Sequence, residues 1–123
     1  MNQEKTSFIS GRIKSVTYAL KGFYLLTTTE HSIITQLIIS AAMCVVGFYF
    51  KISSVEWMFQ IFATGLVLTA EGLNTAIEKI CDYLQPSFDK KIGFIKDIAA
   101  GAVTFAAFTA IIIGAIIYLP KIF

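Results

Sequence analysis

The chain has 123 residues, of which 56% are hydrophobic and 15% charged, and its mean hydropathy is +0.73. A soluble domain of this length could not bury so much apolar surface, so we expect lipid to serve as part of its solvent. The net charge of +2 is small, and no cluster of aromatic and basic residues accompanies it, which argues against a nucleic-acid partner. Length and composition therefore predict one domain, residues 1–123, of the all-α membrane class.

The first predicted element, residues 8–29, separates apolar and polar side chains on a helical period. Ile13 and Leu20 fall on one face, whereas Lys14 and Lys21 fall on the other. This pattern is typical of an amphipathic helix that lies on a membrane surface with its basic side toward water. Packing of the same helix against the inner end of a helix bundle is also compatible with the pattern.

Three apolar segments follow, at residues 33–50, 55–80 and 98–119. Each is long enough to cross a hydrocarbon core of about 30 Å at roughly 1.5 Å of rise per residue. Ser53 and Glu56 have the spacing of a capping box at the start of the second segment, so we interpret Glu56 as structural rather than chemical. The sequence therefore predicts three transmembrane helices preceded by the N-terminal amphipathic surface helix.

The connection between the second and third segments, residues 82–96, is polar, and Pro86 and Gly93 are expected to break helices there. Basic residues are concentrated before the first segment and between the second and third, whereas the loop between the first two contains only Lys51. Basic residues favour the cytoplasmic side of a membrane. We therefore expect a multi-pass protein of the cytoplasmic (inner) membrane, with a cytoplasmic N-terminus.

The second segment contains the strongest candidates for chemistry, in the string EGLNTAIEKICD. Offsets of three and seven residues place Glu71, Asn74 and Glu78 on one helix face. If Trp57 marks the outer interface, Glu71 lies about 21 Å inward along the helix and Glu78 about 31 Å. An ionisable group at membrane depth costs on the order of 2.5–3.5 kcal/mol, which makes Glu71 a functional candidate.

Other polar residues are expected at the same level of the membrane. Glu30 precedes the first segment, and Lys96 and Asp97 precede the third. Carboxylates suit Mg²⁺, which takes oxygen ligands and is usually shared with nucleotide phosphates, whereas a lysine suits phosphate. A carboxylate that is partly shielded from water can serve as a general base. These carboxylates and this lysine predict a site at which a water-soluble anion meets a lipid headgroup.

Several alternatives remain open from the residues alone. The polar face of the second segment is also compatible with hydrogen bonds between helices of an oligomer. Its chemistry does not separate a phosphotransferase from a small proton-coupled carrier that uses Glu71, or from a structural membrane subunit. His31 is the only histidine, so we interpret it as an interface residue. The small residues at positions 99–102 predict close helix packing.

The strings EGLNTAIEKICD and KDIAAGAV, at their separation in this chain, resemble the signature of the prokaryotic diacylglycerol kinase and undecaprenol kinase family. The string YALKGF followed by Glu30 resembles the N-terminal region of that family, and the resemblance extends over residues 8–118. It implies three transmembrane helices and a surface helix, assembled as a homotrimer with active sites between subunits. It also implies Mg²⁺-dependent transfer of the ATP γ-phosphate to the hydroxyl of a lipid, diacylglycerol or undecaprenol.

The resemblance also implies roles for individual residues. These are a general base at Glu71, a positioning residue at Asn74, Mg²⁺ ligands at Glu30 and Glu78, and nucleotide contacts at Tyr18, Lys96 and Asp97.

Two positions depart from the family pattern. Members often have Glu-Tyr-His in the cytoplasmic loop, where this chain has Ser87, Phe88 and Asp89. Arg12 lies one position away from the family arginine. The strings NTAIE and KDIAAGAV resemble the undecaprenol-type members more than the diacylglycerol-type members.

Overall fold

The computed structural model describes residues 2–123, with side chains described from residue 7 onward. Four α-helices follow one another along the chain: α1 (Asn2–Thr29), α2 (His31–Tyr49), α3 (Ser54–Leu84) and α4 (Lys90–Ile122). The all-helical class predicted from the sequence is therefore confirmed. Each of the four predicted segments forms one helix, and α3 and α4 extend beyond the predicted segments toward the connection that joins them.

The chain divides into two units at the boundary between Ile34 and Thr35. In the first unit, hydroxyl side chains of α1 donate to carbonyl groups one turn earlier, as Thr17 Oγ1 does to Ile13 O at 2.9 Å. The apolar face of α1 is uncovered, since Ile13 is 62% exposed and Phe23 is 68% exposed. An exposed apolar face of this kind is typical of a surface that contacts lipid or another protein.

A Schellman motif ends α2 and turns the chain into α3. The Lys51 N–H donates to Phe48 O at 3.2 Å, and the Ile52 N–H donates to Gly47 O at 3.1 Å, so the last carbonyl groups of the helix are satisfied. Lys51 has a φ of 52°, the left-handed conformation that glycine usually adopts at this position. The turn places Trp57 against Gly47, where an added Cβ would lie 2.7 Å from Cη2 of the indole.

The capping box predicted at the start of α3 is confirmed. Ser53 Oγ accepts from the Glu56 N–H at 3.2 Å, and Glu56 Oε1 accepts from the Ser53 N–H at 2.9 Å. The other carboxylate oxygen of Glu56 accepts from Lys121 Nζ at 2.8 Å. Glu56 therefore has a structural role, and it joins the first turn of α3 to the last turn of α4.

The connection between α3 and α4 is short. The predicted loop over residues 82–96 is wrong, because α3 ends at Leu84 and α4 begins at Lys90. Asp89 is the N-cap of α4, and its Oδ1 accepts two backbone N–H bonds at 2.9 and 3.2 Å. The prediction that Gly93 breaks the helix is wrong for the same reason. A glycine inside a helix costs only about 1 kcal/mol relative to alanine, and a good N-cap contributes a similar amount.

The second unit is held together by α3 and α4, which pack along each other. Its buried apolar centre contains Ile52, Ile117 and Tyr118. Large apolar side chains remain uncovered on its helices, among them Phe105, which is 81% exposed. Two of the described helices, α2 with 19 residues and α4 with 33, are long and apolar enough to cross a membrane. An all-helical chain with this much uncovered apolar surface fits a lipid environment.

Candidate active site

The polar face predicted on α3 is present, and its centre is Asn74. The Nδ2 of Asn74 donates to Glu78 Oε1 at 3.1 Å, across one turn of the helix. The Oδ1 of Asn74 is screened from solvent and accepts no hydrogen bond from any side chain described in residues 7–123. A buried oxygen without a donor costs on the order of 1–3 kcal/mol. The face therefore offers an acceptor to a donor or cation that binds there.

Glu71 lies one turn before Asn74 on the same face, and it is partly buried. Its carboxyl group forms no hydrogen bond or ion pair with the described part of the chain. A carboxylate that is shielded from water and has no fixed partner can take a proton from a hydroxyl group brought next to it. Its position on the polar face therefore suits the base that the family resemblance implies.

Lys96 pairs with Asp82, a residue that the sequence patterns did not identify as a site residue. Lys96 Nζ of α4 donates to Asp82 Oδ1 near the end of α3. This hydrogen bond raises the pKa of Lys96 above its ordinary value, and partial burial opposes the shift. Asp82 lies eleven residues after Glu71, which places it on the polar face of α3, so helical periodicity was the signal that could have found it.

Asp97 lines an open cavity of about 980 Å³ at the start of α4. Phe88 lines the same cavity, and its side chain is 92% exposed. In the loop that departs from the family pattern, Ser87 Oγ accepts from Gln85 Nε2 at 3.1 Å. Asp89, as the N-cap of α4, has a structural role. Among these loop residues, Phe88 is thus the side chain most open to a ligand.

An apolar groove of about 500 Å³ runs between α3 and α4. Asn74 and Ile77 line it at the level of the polar face, and Leu66 and Thr109 line it two to three turns further along. Small side chains of α4, including Ala102, keep it open. The groove has the shape and polarity that a hydrocarbon chain requires, and Asn74 is one of its lining residues.

Three residues implicated by the resemblance belong to the first unit or its end. Glu30 lies between α1 and α2, and its carbonyl oxygen accepts the first helical bond of α2, from the Ile34 N–H at 3.0 Å. Tyr18 is 69% exposed on α1. The guanidinium of Arg12 lies 5.9 Å from the centre of the Phe8 ring, a cation–π contact within α1. The roles implied for Glu30 and Tyr18 remain predictions.

The polar face of α3 fits a magnesium ion that a nucleotide helps to bind. Within residues 7–123, no three His, Cys, Asp or Glu side chains come together to hold a metal ion by themselves. Glu78 nevertheless presents an exposed carboxylate, which the amide nitrogen of Asn74 holds by a hydrogen bond. Mg²⁺ commonly uses one or two carboxylates and completes its coordination with water and substrate phosphates. These oxygen donors match that requirement.

Two comparisons with known proteins bear on this arrangement. The family described as prokaryotic diacylglycerol kinase matches residues 17–118. An undecaprenol kinase from Bacillus subtilis (strain 168) is 34% identical to this chain over 109 residues, which is 89% of the length of each protein. Both matches include the polar face of α3 and the Lys96–Asp97 pair.

Proposed function

The chain belongs to the prokaryotic diacylglycerol kinase family and is a lipid kinase, and on that premise we propose that it transfers the γ-phosphate of ATP to the hydroxyl group of undecaprenol. Diacylglycerol is the alternative acceptor. The observation that carries the proposal is the position of Asn74, which belongs both to the polar face of α3 and to the apolar groove. A soluble anion and the hydroxyl end of a lipid can meet there. Family membership also favours a kinase over the carrier and the structural subunit.

The proposed acceptor is supported by the name of the relative from Bacillus subtilis and by the strings NTAIE and KDIAAGAV. The groove between α3 and α4 is lined almost entirely by apolar and small side chains. The free energy of an isoprenoid or acyl chain would change little on transfer from the bilayer to such a surface.

The proposed topology has α2, α3 and α4 crossing the cytoplasmic membrane and α1 lying on its cytoplasmic surface. The lengths and apolar character of α2 and α4 support two of the crossings. The packing of α3 along α4 supports the third, because a helix in close lateral contact with a spanning helix shares its environment. Basic residues before α2 and around the α3–α4 connection favour a cytoplasmic N-terminus.

In the proposed reaction, Glu71 takes the proton of the acceptor hydroxyl, whose oxygen attacks the γ-phosphorus while ADP leaves. Asn74 positions Glu78 through its amide group. Glu78, together with Glu30 as implied by the resemblance, would hold Mg²⁺, which supplies positive charge to the phosphates. Lys96, Asp97 and Tyr18 would contact the nucleotide, with Lys96 acting as a point charge toward phosphate.

We propose a homotrimer as the functional assembly. The second unit leaves large apolar side chains uncovered, and the small residues Ala100 and Gly101 are exposed on α4. Exposed small residues allow helices of neighbouring chains to approach closely in a membrane. Association would also enclose the polar face, which a single chain leaves partly open.

The proposal is tested by offering purified protein undecaprenol and diacylglycerol side by side in mixed micelles, with Mg²⁺ and ATP labelled at the γ-phosphate. We expect label in the phosphorylated lipid, more of it in undecaprenyl phosphate, and none when Mg²⁺ is chelated. Folded protein that labels neither lipid would contradict the kinase proposal, and preferential labelling of diacylglycerol would contradict the proposed acceptor.

A further inference from the structure

The ion pair between Lys96 and Asp82 engages a residue that the proposed reaction requires for nucleotide binding. Lys96 is the cation expected to contact phosphate, yet its ammonium group is bound to Asp82. Asp82 has no role in the proposed function. The pair therefore has to open, or to be shared, when a nucleotide arrives.

Geometry places this pair at the end of the polar face. Asp82 follows Glu78 by four residues, so the two carboxylates are neighbours on the surface of α3. The negative charge of Glu78 also stabilises the charged form of Lys96, more weakly than that of Asp82 does. The five-residue connection brings the first turns of α4 beside the last turns of α3, which holds Lys96 within reach of both acids.

We propose that Asp82 is a positioning residue that holds Lys96 while the nucleotide site is empty and exchanges it for the phosphates of incoming ATP. This inference rests on the proposed function, because it assumes that Lys96 contacts the nucleotide. Asp82 touches neither phosphate nor lipid, and it acts through Lys96.

Exposure makes the exchange possible. The Lys96 and Asp82 side chains are 36% and 63% exposed, so their attraction is weakened by water. Exposed ion pairs contribute little to stability, whereas a phosphate with several negative oxygens is a stronger partner for an ammonium group. The Asp82 carboxylate therefore competes with phosphate for Lys96, and its ion pair is weak enough to open when phosphate binds. Removing the competitor should tighten nucleotide binding about 1.4- to 5-fold, the range that corresponds to a surface ion pair.

The test measures the dissociation constant of a fluorescent, non-hydrolysable ATP analogue with Mg²⁺ on the full-length protein in mixed micelles. Asp82→Asn should bind the analogue more tightly than the wild type, by the factor given above. Asp82→Glu keeps the charge on a longer side chain, so it should bind the analogue less tightly than Asp82→Asn and closer to the wild-type dissociation constant. In a Lys96→Met background, Asp82→Asn should have no effect on binding.

Glu56→Gln is the matched control. It removes an ion pair between α3 and α4, with Lys121, at the opposite ends of the same two helices. It should leave the dissociation constant of the analogue unchanged. A purely structural role of Asp82 would change the melting temperature without changing nucleotide binding, so both are measured.

The outcomes separate the inference from the proposed function. A wild-type protein that binds no analogue and phosphorylates no lipid would overturn both. A wild-type protein that binds, with Asp82→Asn binding equally or more weakly, would overturn the inference alone. The same holds if the gain from Asp82→Asn persists in the Lys96→Met background, because Asp82 would then act directly on the phosphates.

Discussion

The hydroxyl group of Tyr118 in α4 donates a hydrogen bond to Oε1 of Gln60 in α3. Both residues are buried, at 7% and 8% exposure. Gln60 in turn donates from Nε2 to the carbonyl oxygen of Met43 in α2, at 3.1 Å. One glutamine side chain thus links three helices in the half of the protein away from the candidate site.

Tyr118→Phe should therefore destabilise the protein by about 1 kcal/mol, because it leaves a buried amide oxygen of Gln60 without its donor. Lipid phosphorylation at a temperature where the variant is folded should be unchanged. The measurement is reversible unfolding in mixed micelles. Tyr49→Phe is the control, since Tyr49 is 79% exposed. An equal loss in both variants would contradict the importance of this hydrogen bond.

Gly47→Ala should destabilise the protein by about 1–3 kcal/mol, as overpacking does. The added Cβ would lie 2.7 and 2.9 Å from two ring atoms of Trp57, which the turn between α2 and α3 holds in place. Gly65→Ala in α3 meets nothing within 4 Å and should keep or increase stability, because alanine favours helix. Melting temperatures of the two variants decide the matter, and a Gly47→Ala protein as stable as the wild type would rule out the contact.

Glu71→Gln and Glu78→Gln should have different effects. The first should lower the turnover number by about 10²–10⁴ while nucleotide affinity is nearly unchanged, because a base acts on the acceptor hydroxyl. The second should raise the KM for Mg-ATP, because a charged oxygen ligand is lost. Steady-state kinetics with ATP and lipid varied separately distinguish these effects. A Glu71→Gln protein with full turnover would remove the assignment of the base.

Ala102→Phe should raise the KM for the lipid acceptor by about tenfold and leave the KM for ATP unchanged. Ala102 is exposed and lines the groove between α3 and α4, so a larger side chain would occupy the space proposed for the hydrocarbon chain. Ala41→Phe makes the same change on an exposed position of α2 outside the groove. If the two variants have the same lipid kinetics, the groove does not bind the acceptor.

Two inactive variants, Glu71→Gln and Asp97→Asn, should restore activity to each other in mixed trimers. If each site takes Glu71 from one chain and Asp97 from its neighbour, every mixed trimer has one intact site in three, so we expect about one third of the wild-type activity. Co-expression with two affinity tags isolates the mixed trimers for assay. Mixed trimers as inactive as either parent would indicate a site built within one chain.

Local sequence signals predicted much of this structure. The capping box of Ser53 and Glu56 spans one helical turn, so its residues and its geometry follow from the same few positions. The polar face of α3 follows from helical periodicity alone. The start of α4 differs from the prediction because a glycine weakens a helix only slightly, whereas the Asp89 side chain accepts bonds from the first N–H groups of the helix.

Contacts between helices could not be predicted in the same way. The hydrogen bond from Tyr118 to Gln60 joins residues 58 positions apart, and no local pattern specifies which face of α4 meets α3. The pair of Lys96 and Asp82 depends on the length of the connection between α3 and α4. That connection is shorter than the one predicted from the sequence. The roles of Glu30 and Tyr18 rest on the family pattern.

The length of α3 has a consequence for where the two substrates meet. Its 31 residues make a rod of about 46 Å, whereas the hydrocarbon layer is about 30 Å thick. In the proposed topology the apolar part of α3 begins at the external side. The helix length that exceeds the hydrocarbon layer, about three turns, therefore lies at the cytoplasmic end, with Glu78 and Asp82. Because the helix continues unbroken from Ser54 to Leu84, no hinge separates the lipid-facing turns from the water-facing ones. The height above the bilayer at which phosphate is transferred is thus fixed by one continuous helix.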